Sequence, residues 1–143
     1  MSFSKHVIPL PSPKVFETQI GVQISAINYG NHVGYDAMVS LLHEAQVQFL
    51  DHYHYSEFNI AGCYLLVQKI EVIYKKEVRY REILLFTMGL GETSKARQEL
   101  LFSVQNAEYQ EVCRARITLA FLDHHTKTLV SPPTFFLELK MAV

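Results

Sequence analysis

Cysteine is scarce, net charge is nearly absent and no apolar run is long enough to span a bilayer; each shortage removes a class of protein. The chain has 143 residues and two cysteines, Cys63 and Cys113. Both sit in apolar, strand-like runs without a His or Cys partner at metal-ligand spacing, so buried free thiols are expected rather than a disulfide or a zinc site. The formal charge is −1, with 13 basic and 14 acidic residues mixed along the chain. That balance excludes long-range attraction for nucleic acid or an anionic membrane, and any anion site has to be local. The opening Met1-Ser2-Phe3-Ser4-Lys5-His6 lacks the continuous apolar core of a secretory leader, and no other stretch reaches transmembrane length. A cytoplasmic location is expected, in keeping with reduced thiols. Internal repeats and low-complexity tracts are absent too, so one domain of ordinary size is expected to bury its own core.

Histidines are present in pairs, but His124-His125 cannot easily converge on one ion. Neither that pair nor His52-Tyr53-His54 is completed by a carboxylate or thiolate at recognised spacing, so no metal is expected. Pro9, Pro11 and Pro13 exclude regular helix at the start. Residues 1–15 therefore read as an extended N-terminal arm and 16–143 as a single domain.

Within that domain two periodicities alternate. Phe16 to Ile27 has period two, with Ile20, Val22, Ile24 and Ala26 on one side, and predicts a first strand. Asn28-Tyr29-Gly30-Asn31-His32-Val33-Gly34 follows, rich in residues that tolerate turns. From Tyr35 to about Tyr53 the apolar positions Met38, Leu41, Leu42, Ala45 and Phe49 trace one stripe of an amphipathic helix, with Asp36 in its first turn. Strand patterns then run over Cys63 to Tyr74, Glu82 to Leu90, Gln98 to Asn106 and Val112 to Leu122, joined by short polar connections. In the last of these Cys113, Ala115, Ile117, Leu119 and Phe121 face one way, and Arg114, Arg116 and Thr118 the other. The economical packing is α+β, an antiparallel β-sheet wrapped around one long central α-helix. Two fold classes meet that description, the hotdog fold and a cone-shaped fold that usually opens with more than one helix.

Asn28-Tyr29-Gly30-Asn31-His32-Val33-Gly34-Tyr35, followed by Leu42-His43-Glu44-Ala45, resembles the signature of hotdog-fold acyl-CoA thioesterases of the hydroxybenzoyl-CoA type. His32-Val33 matches the family's turn and Glu44-Ala45 its helix. Asp123 to Thr128 resembles its last hairpin-like turn and Pro132-Pro133 its terminal proline, so the resemblance spans roughly Phe16 to Pro133. The departures are specific. Asn28 stands where the family has an acidic nucleophile or base, Gln46 replaces an arginine, and Gly34-Tyr35 replaces two asparagines. An amide cannot act as a general base.

The resemblance implies hydrolysis of an acyl-CoA thioester without a cofactor, coenzyme A being part of the substrate. It also implies a homodimer or dimer of dimers with the pocket between subunits. Such a reaction needs oxyanion donors and a base. The first N–H groups of the helix, at Gly34, Tyr35 and Asp36, are natural donors. Asp36, Glu44 and His32 are the candidate bases, with Asn28 as a positioning group. Asp36 and Glu44 lie roughly 80° apart around the helix and about 12 Å apart along it, which argues against joint action on one atom. Asp36, Ser40, His43 and Glu44 form a polar face. Tyr29, Gly34 and Tyr35 are expected substrate contacts, and Lys95 and Arg97 are named for the coenzyme A phosphates. Phe49, Tyr53, Tyr55 and Phe58 either close the acyl pocket or belong to the core. The alternative function is a non-catalytic acyl-thioester binding module, made plausible by Asn28; a dehydratase is disfavoured because no His-Phe-Pro-Gly type motif occurs.

Overall fold

The computed structural model describes residues 7–142. Residues 1–6 of the expected arm lie outside them. The elements run β1 (Lys14–Gly21), α1 (Tyr35–His52), β2 (Cys63–Tyr74), β3 (Ile83–Thr93), β4 (Gln98–Gln105), β5 (Glu111–Asp123), β6 (Leu129–Val130) and α2 (Phe135–Ala142). Every ladder is antiparallel, in the order β1-β3-β4-β5-β2, with the short β6 added to β5. The sheet holds α1 on one face, as the hotdog reading expects. Met38, Leu42, Ala45 and Phe49, the helical stripe, are 0–2% exposed, and they meet Phe86, Phe102, Ala115 and Phe121 from the strands in one core cluster.

The first strand differs from its expected span of 16–27. Its partner β3 starts at Ile83, opposite Gly21, so no ladder continues beyond that point. The chain turns instead: Ile24–Ala26 is a single 3₁₀ turn, and Ile24 is 65% exposed rather than on the buried side. The sequence pattern also gave no sign of α2, whose Phe136 is fully buried against Phe121 while Phe135 packs against Phe49, Tyr53 and Tyr55. Phe49, Tyr53 and Tyr55 are thus occupied as core, whereas Phe58 is 78% exposed. No helix among the described residues is long and apolar enough to cross a membrane. Cys63 pairs opposite Asp123 and Cys113 opposite Tyr74, at the two ends of one ladder, so both thiols are free.

On the outer face of the sheet, residues ahead of β1 form a strap. Ile8 is 2% exposed and its carbonyl accepts a hydrogen bond from Arg114 Nη1 at 3.0 Å. Pro11 lies so close to β3 that a Cβ on Gly89 would fall 2.8 Å from its backbone carbons. The same Arg114 donates to Glu111 at 2.8 and 2.9 Å, and Glu111 also accepts from Lys75 and Ser103 at 2.6 Å each. Burial alone would raise the Glu111 carboxyl, but these donors outweigh it and hold its pKa at about 2.

Two outcomes are expected. Gly89→Ala should lower stability by about 1–3 kcal/mol in denaturant unfolding, since neither the strap nor the strand can yield without cost. Glu111→Gln should cost on the order of 2 kcal/mol at pH 7. Because the folded-state pKa lies below the unfolded value near 4.5, the carboxylate's contribution is complete above pH 4.5 and is lost as pH falls toward 2. The gap between wild type and variant should therefore close across that window.

Candidate active site

The loop from Ile27 to Gly34 is closed by its own backbone. Ile27 and Val33 form an isolated bridge, Asn28 N donates to His32 O at 3.0 Å, and Asn31 N donates to Asn28 O at 3.1 Å. Asn31 takes a left-handed φ of 64°, a conformation asparagine tolerates better than most residues. Asn28 Oδ1 accepts the Gly30 N–H at 2.9 Å, so this side chain shapes the turn. Tyr29, at the tip, is fully exposed and borders neither depression described below.

At the helix start the geometry tightens. Gly34 is the N-cap in extended conformation, and no side chain caps the helix there. A Cβ on Gly34 would lie 2.7 Å from Asp36 Oδ1 and 3.7 Å from Asn28 Nδ2, so the missing side chain lets the Asp36 carboxylate fold back over the cap, beside the Asn28 amide. Of the expected amide donors, Gly34 N already donates to Ala26 O at 3.4 Å. Tyr35 and Asp36, in the first turn, have no intrahelical acceptor.

Two depressions flank this point. One, about 410 Å³, is lined by Asn28, His32, Val33, Gly34, Tyr35 and the end of β2 from Tyr74 to Glu77. Tyr74 is a residue the sequence gave no reason to single out. Its hydroxyl donates to Tyr35 O at 2.7 Å, and burial, with Cys113, Asp36 and Tyr35 nearby, raises its pKa, so it stays a donor. His32 Nε2 stands 3.8 Å from Glu77. The other depression, about 580 Å³, lies between α1 and the end of β1, and both Asp36 and Glu44 face it, with Ser40, Gln48, Gln19 and Gln23. Glu44 is held in place: it accepts from Gln48 Nε2 at 2.7 Å, and Gln48 Oε1 accepts from Thr18 at 2.5 Å.

A third, smaller depression of about 240 Å³ is apolar, formed by Val39 on α1 with Val67, Ile70 and Ile117 on β2 and β5, and bordered by His43 and Gln46. Gln46, at the arginine position of the resemblance, is 1% exposed and donates to Glu57 at 2.7 Å. His43 reaches the same carboxylate at 3.0 and 3.1 Å, so His43 and Gln46 together pin the segment that leads from α1 to β2.

Lys95 and Arg97 are not brought to the loop within one subunit. They lie in the β3–β4 turn, where Arg97 Nε donates to Gln68 Oε1 at 2.6 Å, and from Gln68 to Tyr74 is roughly 20 Å of strand. Lys75 and Lys76 are the cations that line the loop depression instead. His52 packs against the Phe16 and Tyr53 rings, and His124 Nε2 bonds the Phe58 carbonyl; each has a structural partner.

Comparison with known proteins places this geometry. Among solved structures the fold matches a DHNA-CoA thioesterase from Staphylococcus aureus, with 15% identity, TM-score 0.74 and 88% of this chain covering 86% of that one. It matches a 1,4-dihydroxy-2-naphthoyl-CoA thioesterase from Synechocystis, with 18% identity, TM-score 0.77 and coverage of 87% and 97%. It also matches a Staphylococcus aureus protein in complex with CoA, with 13% identity, TM-score 0.79 and coverage of 95% and 87%. At such identities the likeness establishes the hotdog fold. No curated protein sequence matches significantly. The family model for the thioesterase-like superfamily matches residues 22–139, from just after β1 into α2, and the chain belongs to that superfamily of thioester hydrolases.

Proposed function

We propose that this chain hydrolyses acyl-CoA thioesters at the start of α1, with Asp36 as the general base. The observation that carries the reading is the Asp36 carboxylate folded over Gly34, beside the Asn28 amide and the unpaired amides of the first helical turn. A thioester carbonyl set against Tyr35 and Asp36 N–H would meet donors and the positive end of the helix dipole where its oxygen gains charge. Water attacks the carbonyl carbon as Asp36 takes its proton. The tetrahedral intermediate then collapses, the C–S bond breaks, and the leaving thiolate of coenzyme A takes the proton held by Asp36, which restores the base. Asn28 and His32 hold the turn and the substrate, and no cofactor enters any step. Asn28 is unsuited to be the base, both as an amide and because its Oδ1 already accepts the Gly30 N–H.

Glu44 is the second candidate. It shares a depression with Asp36 and is oriented by the Thr18–Gln48 chain, but stands about 12 Å further along the helix from the amide donors. Lys76, on the lip of the loop depression, suits a phosphate; Lys75 is engaged by Glu111 at 2.6 Å. The acyl group suits the apolar depression at Val39, Val67 and Ile70, which is open along the free edge of β2 until a second subunit covers it. Two free thiols accord with a cytoplasmic setting. The binding-module alternative rests on Asn28 in place of the family's acid.

Thiol release from short, medium, long and aryl acyl-CoA substrates tests this directly. Asp36→Asn should lower kcat by about 10²–10⁴ with the fold intact. Gly34→Ala should fall by a similar factor by displacing that carboxylate, whereas Glu44→Gln should stay within about tenfold of wild type. The reverse order would move the base to Glu44. Binding of acyl-CoA by the wild type without any turnover would make the chain a binding module.

A further inference from the structure

We propose that Tyr74 is a positioning residue for the oxyanion site: its hydroxyl, bonded to the Tyr35 carbonyl, aims and polarises the peptide group whose N–H, on Asp36, is a donor to the thioester oxygen. The bearing on catalysis rests on the thioesterase reading; the hold on the helix start does not.

Tyr35 O and Asp36 N belong to a single peptide unit, which partial double-bond character keeps planar. Fixing its oxygen therefore fixes the direction of its N–H. Tyr74 Oη supplies the fix by donating to Tyr35 O at 2.7 Å. Tyr35 O is also the acceptor that an α-helix assigns to the N–H four residues on, and a carbonyl oxygen has lone pairs for both donors. Donation to a carbonyl polarises the amide, and linked hydrogen bonds strengthen one another by about 10–30% per bond in condensed-phase estimates. Tyr74 thus acts on the Asp36 N–H by geometry and by charge.

The helix start depends on this hold because it lacks the usual one. An N-cap side chain commonly accepts the N–H of the second or third helical residue. Here those residues are Asp36 and Ala37, and the N-cap is Gly34, which has no side chain to offer. A serine or aspartate at position 34 would steady the turn but occupy the donors that the oxyanion needs. Nor does Tyr35 anchor itself, its side chain being turned out to 77% exposure. Tyr74 steadies the turn through an acceptor instead, and the N–H groups stay free.

The tyrosine is rooted in a segment held on both sides. In the ladder with β5 it stands opposite Cys113, on the helix side that the buried Cys113 and Ala115 define. Immediately beyond it, Lys75 N and Lys76 N both donate to Val112 O, at 2.9 and 3.2 Å, and Lys75 Nζ bonds Glu111 at 2.6 Å. Glu111 is gripped in turn by Arg114, which also holds the strap at Ile8. From that base the ring forms one wall of the depression that Asn28, Gly34 and Tyr35 line. Burial keeps its hydroxyl protonated, as a donor must be.

The test compares wild type with Tyr74→Phe, which removes one oxygen atom, with circular dichroism confirming the fold. In thiol release kcat should fall about three- to tenfold while KM stays within about twofold, the pattern of an interaction realised in the transition state. General loosening of the site would raise KM as well. The second readout needs no turnover. An acyl-CoA analogue with a methylene in place of the thioester sulfur keeps the carbonyl but has no C–S bond there to break. In isotope-labelled wild type it should move the Asp36 amide proton downfield by NMR, and in Tyr74→Phe that displacement should be smaller. An unchanged kcat in the variant, an equal displacement in both chains, or a wild-type Asp36 amide that ignores the analogue would overturn the proposal. A wild type that shows the displacement, reduced in Tyr74→Phe, yet releases no thiol would sink the hydrolase reading and leave the hold of Tyr74 on the donor standing.

Discussion

Burial of one face of α1 in the curve of the antiparallel sheet is the contact from which the other positions in the molecule follow. Met38, Leu42, Ala45 and Phe49 recur every three or four residues and are almost wholly enclosed. This fixes the rotation of the helix. Once the stripe faces the strands, Asp36, Ser40 and Glu44 turn toward the end of β1, while Val39 and His43 turn toward β2. Two flanks of one helix, unlike in chemistry, thereby border two unlike depressions.

The helix start owes its character to what precedes it. The loop spends its polar groups on itself, through Asn28, His32 and Asn31, and leaves the first helical amides without partners. Glycine at the cap removes the one atom that would keep a carboxylate away from them. A charged acceptor, unpaired donors and a close-packed turn are thus gathered by local backbone geometry, within nine residues of chain from Asn28 to Asp36. The rest of the neighbourhood is supplied from a distance: Tyr74 reaches in from β2, and the pairing of β2 with β5 decides that it can.

This division explains how much was legible beforehand. The helix boundaries, the span of β2 and the alternation of β5 agree with the periodicities of the sequence, because a stripe or an alternation is a one-dimensional record of a single buried face. The loop residues were legible as a motif. Strand β1 was not bounded correctly, since its end depends on where β3 begins. The helix α2 was missed because it is short, follows Pro132-Pro133, and is stabilised by Phe121, Phe49 and Tyr55 from remote segments. Tyr74 and the Gln46–Glu57–His43 cluster carried no local signal for the same reason. Lys95 and Arg97 stand out in sequence as a charge pair, and within one subunit the β3–β4 turn sets them away from the loop, with Arg97 bonded to Gln68.

The strand order has a consequence for how the chain comes into being. β3 and β4 are neighbours in sequence and can close as a hairpin as soon as both exist, but among the described residues β2 pairs with β5 alone, so that Cys63 meets Asp123 from far along the chain. Until β5 emerges, an apolar β2 has one edge waiting for its own chain and the other open to any chain. Loop closure over such a span is slow compared with helix or hairpin formation. An apolar β2 that exists before the strand that orients it is open to premature encounters between nascent chains, and such encounters favour aggregation over folding.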